Sequence, residues 1–206
     1  MQWKQCLCSS RFAVPPCGSK IMSEMLLIEH CAPTLARIKT ANLFSCTYSD
    51  TKTLIYFLIY WNKNLNPKGV YLKLMKAAGN RALIYVFRKM GLEKDLKDEQ
   101  ANRYLKKLGY NTDSTDEVLN FLKKRICTQD DFPHEIGFFL GYPPEDVVGF
   151  IENNGKNFKF CGCWKVYSDV NEAEKRFHMY RKCKDVYKKI YNCGKSVNML
   201  TVPVKG

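Results

Sequence analysis

Cys31 and His134 are the two side chains in this sequence whose chemistry most directly suggests catalysis. A thiol becomes a nucleophile when a base removes its proton, and histidine titrates near neutral pH. His30 directly precedes Cys31, but chain neighbours point in different directions on a helix or a strand. His134 is therefore the predicted base, and Cys31 with His134 is the predicted catalytic pair. The alternative is that Cys31 is a buried core thiol beside a capping histidine.

Further polar residues complete a predicted ligand pocket, because a few polar groups in an apolar cleft are the general form of a small-molecule site. They are His30, Asn42, Arg81, Glu135, Lys165 and Tyr167. We expect Arg81 to bind an anionic group of the ligand. The sequence thus favours a small-ligand-binding or enzymatic domain. It specifies no substrate, reaction or cofactor.

Cys161 and Cys163 form a second candidate site, a strip of thiols on one face of a predicted strand. Lys159 and Lys165 flank them, and nearby lysines lower the pKa of a thiol. The strip is either a reactive or anion-binding site or an ordinary sheet edge with surface lysines. A structural zinc site requires a second cysteine knuckle, and His134-Glu135 lacks the second histidine of a zincin motif. No metal site is therefore predicted.

Basic residues are concentrated towards the ends of the chain. Of the net charge of +13, residues 171–206 contribute nine bases and three acids, whereas residues 22–170 contribute 21 bases and 17 acids. A predicted helix over 171–193 carries Lys175, Arg176, Arg181, Lys182, Lys184, Lys188 and Lys189. The alternative function is therefore a basic adaptor that binds RNA or an acidic protein through this helix. The sequence has no Walker A loop and no Gly-x-Gly-x-x-Gly fingerprint. These are the usual sequence evidence for ATP-driven chemistry and for dinucleotide binding, so neither function is favoured.

Hydrophobic periodicity predicts the elements that must position these side chains. Two runs joined by Ala77–Asn80 predict a hairpin over 70–88, whose second strand is apolar on both faces and therefore central in a sheet. Residues 157–167 alternate as a further strand. Thr53–Trp61 is apolar almost all round, which predicts a buried helix. The predicted fold is α+β: a small antiparallel sheet covered by helices, with a long C-terminal helix.

Boundary residues mark several of these elements. Ser114 and Glu117 form a capping box at the start of a helix. Pro144 suits the first position of another helix. Asp169 or Asn171 is the candidate cap for the long C-terminal helix. Residues 41–46 are expected to be extended.

Composition restricts the class of protein. The 206 residues are 46% hydrophobic and 26% charged, which excludes disorder over most of the chain. No window approaches 18 apolar residues, so no transmembrane helix is predicted. There are ten cysteines but no secretory signal, so we expect reduced thiols and a cytoplasmic location. Residues 1–21 are interpreted as a disordered N-terminal extension or a misassigned start, and residues 22–206 as one α+β domain.

Several short motifs together resemble a known family. They are His30–Leu35, Ala41–Phe44, Asn66–Gly69, Phe132–Gly137, Leu140–Pro143, Gly149–Ile151 and Cys161–Tyr167. The chain is similar, over residues 26–202, to the uncharacterised domain-of-unknown-function family 3793, found mostly in clostridial and related anaerobic bacteria. The resemblance implies a cytoplasmic, single-domain protein from an anaerobe, and it implies no activity. Residues 1–21 lie outside the family pattern, and Cys163 stands at a variable position of it.

Overall fold

A sheet of three antiparallel strands, in the order β1–β3–β2, lies at the centre of the fold. The computed structural model describes residues 23–129 and 131–204. The strands are β1 (Ala41–Thr47), β2 (Val70–Ala78) and β3 (Arg81–Arg88). The predicted hairpin and the central position of its second strand are confirmed. The apolar run of β3 is covered on both sides, as a central strand requires.

Helices surround this sheet in the described part of the chain. They are α1 (Glu24–Leu35), α2 (Thr51–Leu65), α3 (Lys89–Leu96), α4 (Glu99–Lys107), α5 (Thr115–Thr128), α6 (Ile136–Phe139), α7 (Pro144–Glu152), α8 (Val170–Asn192) and α9 (Val197–Leu200). Ser114 caps α5 and Asp169 caps α8, each accepting a hydrogen bond from a backbone N–H three residues later. The α+β class and the long C-terminal helix are confirmed.

Residues 157–167 differ from the single strand that their alternation predicts. They form a short hairpin in which β4 (Phe160–Cys161) pairs with β5 (Lys165–Val166), separate from the main sheet. The reason is a tight turn at Gly162, where a Cβ would lie only 2.2 Å from the Phe177 ring on α8. The third strand of the main sheet is instead β1, from the segment predicted to be extended.

Side chains of β3 alternate between two cores, one on each face of the sheet. Ile84 and Val86 pack with α1 and α2 in what we call the α1 core. Tyr85 and Phe87 point the other way and pack with α6 in what we call the α6 core. The long helix α8 spans both cores, because its first half packs into the α6 core and Tyr187 packs against the α1 core. The sheet therefore separates the molecule into two packed layers.

The helix predicted to be buried is a surface helix. Leu54, Phe57, Trp61 and Leu65 of α2 face the α1 core at helical spacing. Ile55, Tyr56, Ile59 and Tyr60 are exposed on what we call the outer face of α2. The prediction was wrong because an all-round apolar pattern does not distinguish burial on every side from an apolar surface. None of the helices in the described ranges has both the length and the apolar character needed to cross a membrane.

Arg88, at the end of β3, joins segments that are distant in sequence. Its buried guanidinium donates to the carbonyl oxygens of Thr34 and Leu35 at 2.7 Å, of Lys68 at 3.1 Å and of Val202 at 2.7 Å. The first two carbonyls belong to the last turn of α1, which has no intrahelical partners for them. Together with the backbone N–H groups of Arg37 and Val202, which donate to the same two carbonyls, this cation satisfies the end of α1 and fixes it against the chain after α9.

Candidate functional site

The two predicted catalytic side chains lie in different layers. Cys31 is fully buried on α1 within the α1 core, and burial raises the pKa of its thiol well above the ordinary value. His134 precedes α6 on the other side of the sheet, with its ring edge-on to Phe150 at 5.2 Å between centroids. Burial lowers the pKa of His134, and the neighbouring Glu135 carboxylate opposes this shift. The sheet separates the pair, so the structure does not bring the thiol and its predicted base together.

Half of the predicted ligand residues also lie away from His134. The imidazole of His30 stacks on Phe44, with ring centroids 5.0 Å apart and planes within 4°. The amide oxygen of Asn42 accepts a hydrogen bond from the Thr34 hydroxyl at 2.7 Å, which joins β1 to α1. Arg81 is exposed at the turn of the hairpin. These side chains are spread along the β1 side of the sheet and share no cleft with His134.

Glu135 is a buried carboxylate in a hydrogen-bond network. One of its oxygens, Oε1, accepts from the Tyr110 hydroxyl at 2.8 Å and from Arg125 Nε at 2.5 Å. Burial, and then the carboxylate beside it, raise the pKa of Tyr110 well above its ordinary value, so Tyr110 stays protonated and donates. The network joins α5 to the start of α6. Its geometry is that of a structural ion pair rather than of a group turned towards a ligand.

The structure gathers the remaining predicted residues around α7. His134 and Lys165 both contact the ring of Phe150, and the Lys165 ammonium lies 5.7 Å from its centroid. Lys165 also donates to the carbonyl oxygen of Gly155 at 2.6 Å. Tyr167 packs against Gly149, where a Cβ would approach its ring to 2.7 Å. His134, Lys165 and Tyr167 are thus neighbours through α7.

Asp146 holds this cluster together, and sequence reasoning did not identify it as important. Its Oδ2 accepts from the Trp164 indole at 2.7 Å, and Oδ1 accepts from the backbone N–H of Tyr167 at 2.7 Å and of Ser168 at 2.8 Å. The void beside it, lined by residues that include Phe150, measures about 10 Å³. That is about the smallest void that can hold one water molecule, so the cluster has no room for a larger ligand.

The predicted thiol strip lies on the short hairpin. Cys161 is exposed in β4, and Cys163 is half-buried in the turn. The Lys159 ammonium donates a hydrogen bond to the carbonyl oxygen of Ser168 at 2.9 Å, and so it points towards the start of α8. No described cysteine is in a disulfide. Within residues 23–129 and 131–204, no three His, Cys, Asp or Glu side chains are arranged to hold a metal ion.

A second concave site in the described chain is a groove of about 480 Å³. It lies between α3 with α4 on one side and the turn from α6 to α7 on the other. Its lining is Lys94, Asp95, Lys97, Asp98, Ala101, Phe138, Gly141, Tyr142, Pro143, Pro144, Glu145 and Arg176. The volume falls in the range of small-molecule sites. The prediction of a ligand pocket had placed it elsewhere, on residues that do not line this groove.

The wall of the groove is built by a close contact between Gly141 and the pair Thr40 and Asp95. The Thr40 hydroxyl donates to Asp95 Oδ2 at 2.5 Å. A Cβ on Gly141 would lie 2.9 Å from Thr40 and 3.0 Å from Asp95, and Gly141 has a φ of +70°. Glycine is thus required both for the backbone angle and for the approach. Burial raises the pKa of Asp95, and the hydrogen bond from Thr40 opposes this.

Cations and acids are mixed in this groove. Lys94 and Lys97 project from the end of α3, and Arg176 reaches in from α8, where its Nε also donates to Glu172 at 3.2 Å. Asp98 is already engaged as the N-cap of α4. The run Leu140–Pro143, one of the motifs behind the family resemblance, supplies the aromatic and glycine part of the lining. It is the signal in the sequence that could have located the site.

The predicted basic helix is α8, and its cations differ in exposure. Lys175, Arg181, Lys182 and Lys189 are exposed, whereas Arg176, Lys184 and Lys188 are half-buried. Lys188 lies 4.0 Å from the carboxylate of Glu29 on α1. The face of α8 opposite the core also carries Met179 and Val186, which are exposed apolar side chains. The helix therefore presents a mixed cationic and apolar surface.

The fold and the groove define an α+β protein with two packed layers and a small-molecule-sized cleft. The chain belongs to the family described as protein of unknown function, DUF3793, which it matches over residues 27–201. The groove lining and the Asp146 cluster lie inside that range. No curated protein and no solved structure matches the chain significantly.

Proposed function

We propose that this protein is a small-ligand-binding domain, with an anionic ligand held in the groove between α3 and the turn from α6 to α7. The observation that carries the proposal is the groove itself, whose 480 Å³ would accommodate a metabolite-sized molecule. The proposed site therefore lies on the Asp95 side of the sheet, whereas the pocket predicted from the sequence included Cys31, which lies on the other side. The proposal is one of binding, because Cys31 is buried with its thiolate suppressed.

The lining defines the chemistry of the ligand. Lys94, Lys97 and Arg176 supply three cations to the lining and favour a carboxylate or phosphate group. Asp95, fixed by Thr40, offers a carboxyl group that pairs best with a hydrogen-bond donor of the ligand. A small molecule that carries both an anionic group and a hydrogen-bond donor suits this mixed lining.

Nuclear magnetic resonance of the labelled full-length protein tests this proposal. Glutamate, adenosine monophosphate and inorganic phosphate serve as probes, and the backbone amide of Gly141 reports on the groove. We expect saturable shifts at Gly141 that are lost in the Lys94→Ala/Lys97→Ala variant. They should persist in the matched Lys106→Ala/Lys107→Ala variant, whose lysines are exposed on α4. Shifts that are absent with all three probes, or equal in both variants, contradict the proposal.

A second candidate function is the basic adaptor, because the exposed face of α8 has a regular pattern. Lys175, Lys182 and Lys189 recur every seven residues, and Met179 and Val186 lie between them. Positions separated by three and four residues lie along one side of a helix. Alternating cationic and apolar side chains fit an acidic amphipathic helix of another protein better than they fit RNA.

Salt dependence and charge reversal test the adaptor. Fluorescence anisotropy of a polyglutamate peptide and of a polyuridine RNA, each with Lys182→Glu/Lys189→Glu protein, would measure the contribution of this face. Binding of the peptide that weakens with salt and with this variant, but not with Lys106→Glu/Lys107→Glu, supports the adaptor. Equal loss in both variants indicates binding by net charge alone and removes α8 as the site.

Residues 22–206 are proposed to act as one cytoplasmic domain of an anaerobic bacterium. The support is the family membership and the two cores built on one sheet. The proposed N-terminal extension, residues 1–21, lies outside the described residues. Cell fractionation with an antibody to the protein would test the location.

A further inference from the structure

The outer face of α2 is an apolar surface formed by four exposed large side chains. Ile55, Tyr56, Ile59 and Tyr60 are 49%, 75%, 62% and 52% exposed. They occupy two adjacent turns on the side of α2 opposite the α1 core. Single exposed apolar residues are ordinary, whereas a contiguous group of this kind marks an interaction site. This surface is separate from the groove and from the exposed face of α8.

Lysines stand at both ends of this apolar strip. Lys52 and Lys63 are exposed and, at 100° per residue, point in the same outward direction as Ile59. The rise of the helix places their Cα atoms roughly 16 Å apart. The side chains between them are two isoleucines and two tyrosines. The order along the outer face is thus a cation, an apolar and aromatic centre, and a second cation.

The chain around α2 has a strongly one-sided charge. Residues 51–92 contain no Asp or Glu. Of their bases, Lys52 and Lys63 stand on the outer face of α2. Lys73 and Lys76 instead donate to α5 across the sheet, and Arg88 is buried. Asp50 precedes this stretch, and its carboxylate caps α2 by accepting from the Thr53 backbone at 2.9 Å and from its hydroxyl at 2.7 Å. The partner of the outer face must therefore be apolar at its centre and negatively charged around it.

These features together indicate one partner. We propose that the outer face of α2 docks the protein on an anionic lipid surface, with Ile55 and Ile59 inserted among the acyl chains. An interfacial helix lies in the membrane plane with its apolar face at the boundary of headgroups and chains. Tyrosine rings prefer that boundary, and lysine side chains extend from it to the phosphates.

Other occupants fit these side chains less well. A second copy of the chain would place two acid-free cationic segments against each other, and like charges oppose such contact. Single-stranded RNA is bound by stacking of bases on flat rings; Tyr56 and Tyr60 offer such rings, but stacking leaves Ile55 and Ile59 without an apolar partner. Hydrocarbon is the environment that both isoleucines favour.

Vesicle sedimentation of the full-length protein tests the inference. The vesicles are phosphatidylcholine alone and phosphatidylcholine with phosphatidylglycerol, at low and high salt. We expect partition into the anionic vesicles at low salt, and weaker partition at high salt. The Ile55→Ser/Ile59→Ser variant should lower the partition coefficient by about tenfold or more, since each isoleucine loses apolar burial. The Lys52→Glu/Lys63→Glu variant should lose the preference for anionic lipid.

A matched variant and two measurements make each outcome decisive. Met90→Ser/Met199→Ser removes exposed apolar side chains from α3 and α9 and should bind vesicles like the wild type. Circular dichroism checks that every variant is folded, which the exposure of these positions favours. No partition by the wild type, or equal partition by the isoleucine variant, overturns the proposal. The proposal is also overturned if light scattering finds a dimer of the wild type that the isoleucine variant dissociates. It is likewise overturned if the wild type binds RNA and the isoleucine variant does not.

Discussion

Tyr110 and Glu135 are joined inside the α6 core by a hydrogen bond of 2.8 Å, although 25 positions separate them in sequence. The same carboxylate oxygen pairs with Arg125, whose side chain is 21% exposed against 5% for Glu135. A carboxylate held by two donors in the protein interior fixes the start of α6, and α6 leads directly into the groove at Gly141. The bond therefore connects the stability of the core to the shape of the proposed site.

Removal of Glu135 should be strongly destabilising. Glu135→Ala leaves the Arg125 cation and the Tyr110 hydroxyl without their shared partner, and we expect the free energy of unfolding to fall by about 3 kcal/mol. Tyr110→Phe should cost about 1 kcal/mol, since it removes one hydrogen bond. Urea denaturation measures both. Glu99→Ala, which breaks the exposed pair with Arg103, should cost less than about 0.5 kcal/mol; a cost as large as that of Glu135→Ala would contradict the structural role.

Substitution of Gly141 should separate backbone strain from steric overlap. Gly141→Ala places a methyl group 2.9 Å from Thr40 at a φ of +70°. Gly79→Ala has a similar positive φ of +57° with open space around it. We expect a loss of about 1 kcal/mol for Gly79→Ala and about 3 kcal/mol for Gly141→Ala, because overlap adds to the strain. Equal losses would mean that the wall of the groove is not tightly packed.

Asp95 should make stability depend on pH in a definite direction. Its pKa is raised from the ordinary 3.8 in the folded protein, so the folded state holds this proton more tightly than the unfolded chain. Stability of the wild type relative to Asp95→Asn should therefore fall as pH rises from 3.8 through the folded pKa. Asparagine retains an acceptor for the Thr40 hydroxyl and does not titrate. Thermal unfolding across this range checks the sign, and a constant difference between the two proteins would refute it.

Cys31 should be among the least reactive thiols of the folded protein. Its sulfur is buried and the pKa of the thiol is raised, whereas Cys127 and Cys193 are exposed. We expect iodoacetamide to modify Cys31 about 100-fold more slowly than the exposed pair in native buffer. All three should react alike in urea. Peptide mass spectrometry gives the rates, and rapid native labelling of Cys31 would restore its candidacy as a nucleophile.

Local patterns were sufficient to predict much of the fold. The apolar run from Ala82 to Phe87 and the turn at Gly79 determine the central strand and its hairpin. Ser114 and Asp169 start their helices because a side-chain oxygen meets an N–H only three residues away. These features depend on neighbours in sequence, and so sequence reasoning finds them.

Features that depend on distant neighbours were missed. The burial of one face of α2 and the exposure of the other depend on which side the sheet covers, and periodicity does not contain that information. Thr40 and Asp95 meet across 55 positions, and Asp146 receives its donors from the β4–β5 hairpin. The pairing of Cys31 with His134 was inferred from residue type alone, and the sheet between them could not be anticipated from either residue.

The contacts of Arg88 set an order of events during synthesis. Its guanidinium needs the carbonyl oxygen of Val202, which lies 114 positions further along the chain. A nascent chain can complete α1 and the hairpin while this partner is still inside the ribosome. During that time the Arg88 guanidinium would lack the carbonyl oxygen of Val202 as an acceptor, and α1 would not yet be joined to the segment around Val202. Folding of the α1 layer thus finishes only after Val202 has left the ribosome, and proteins shortened before Val202 would carry that defect permanently.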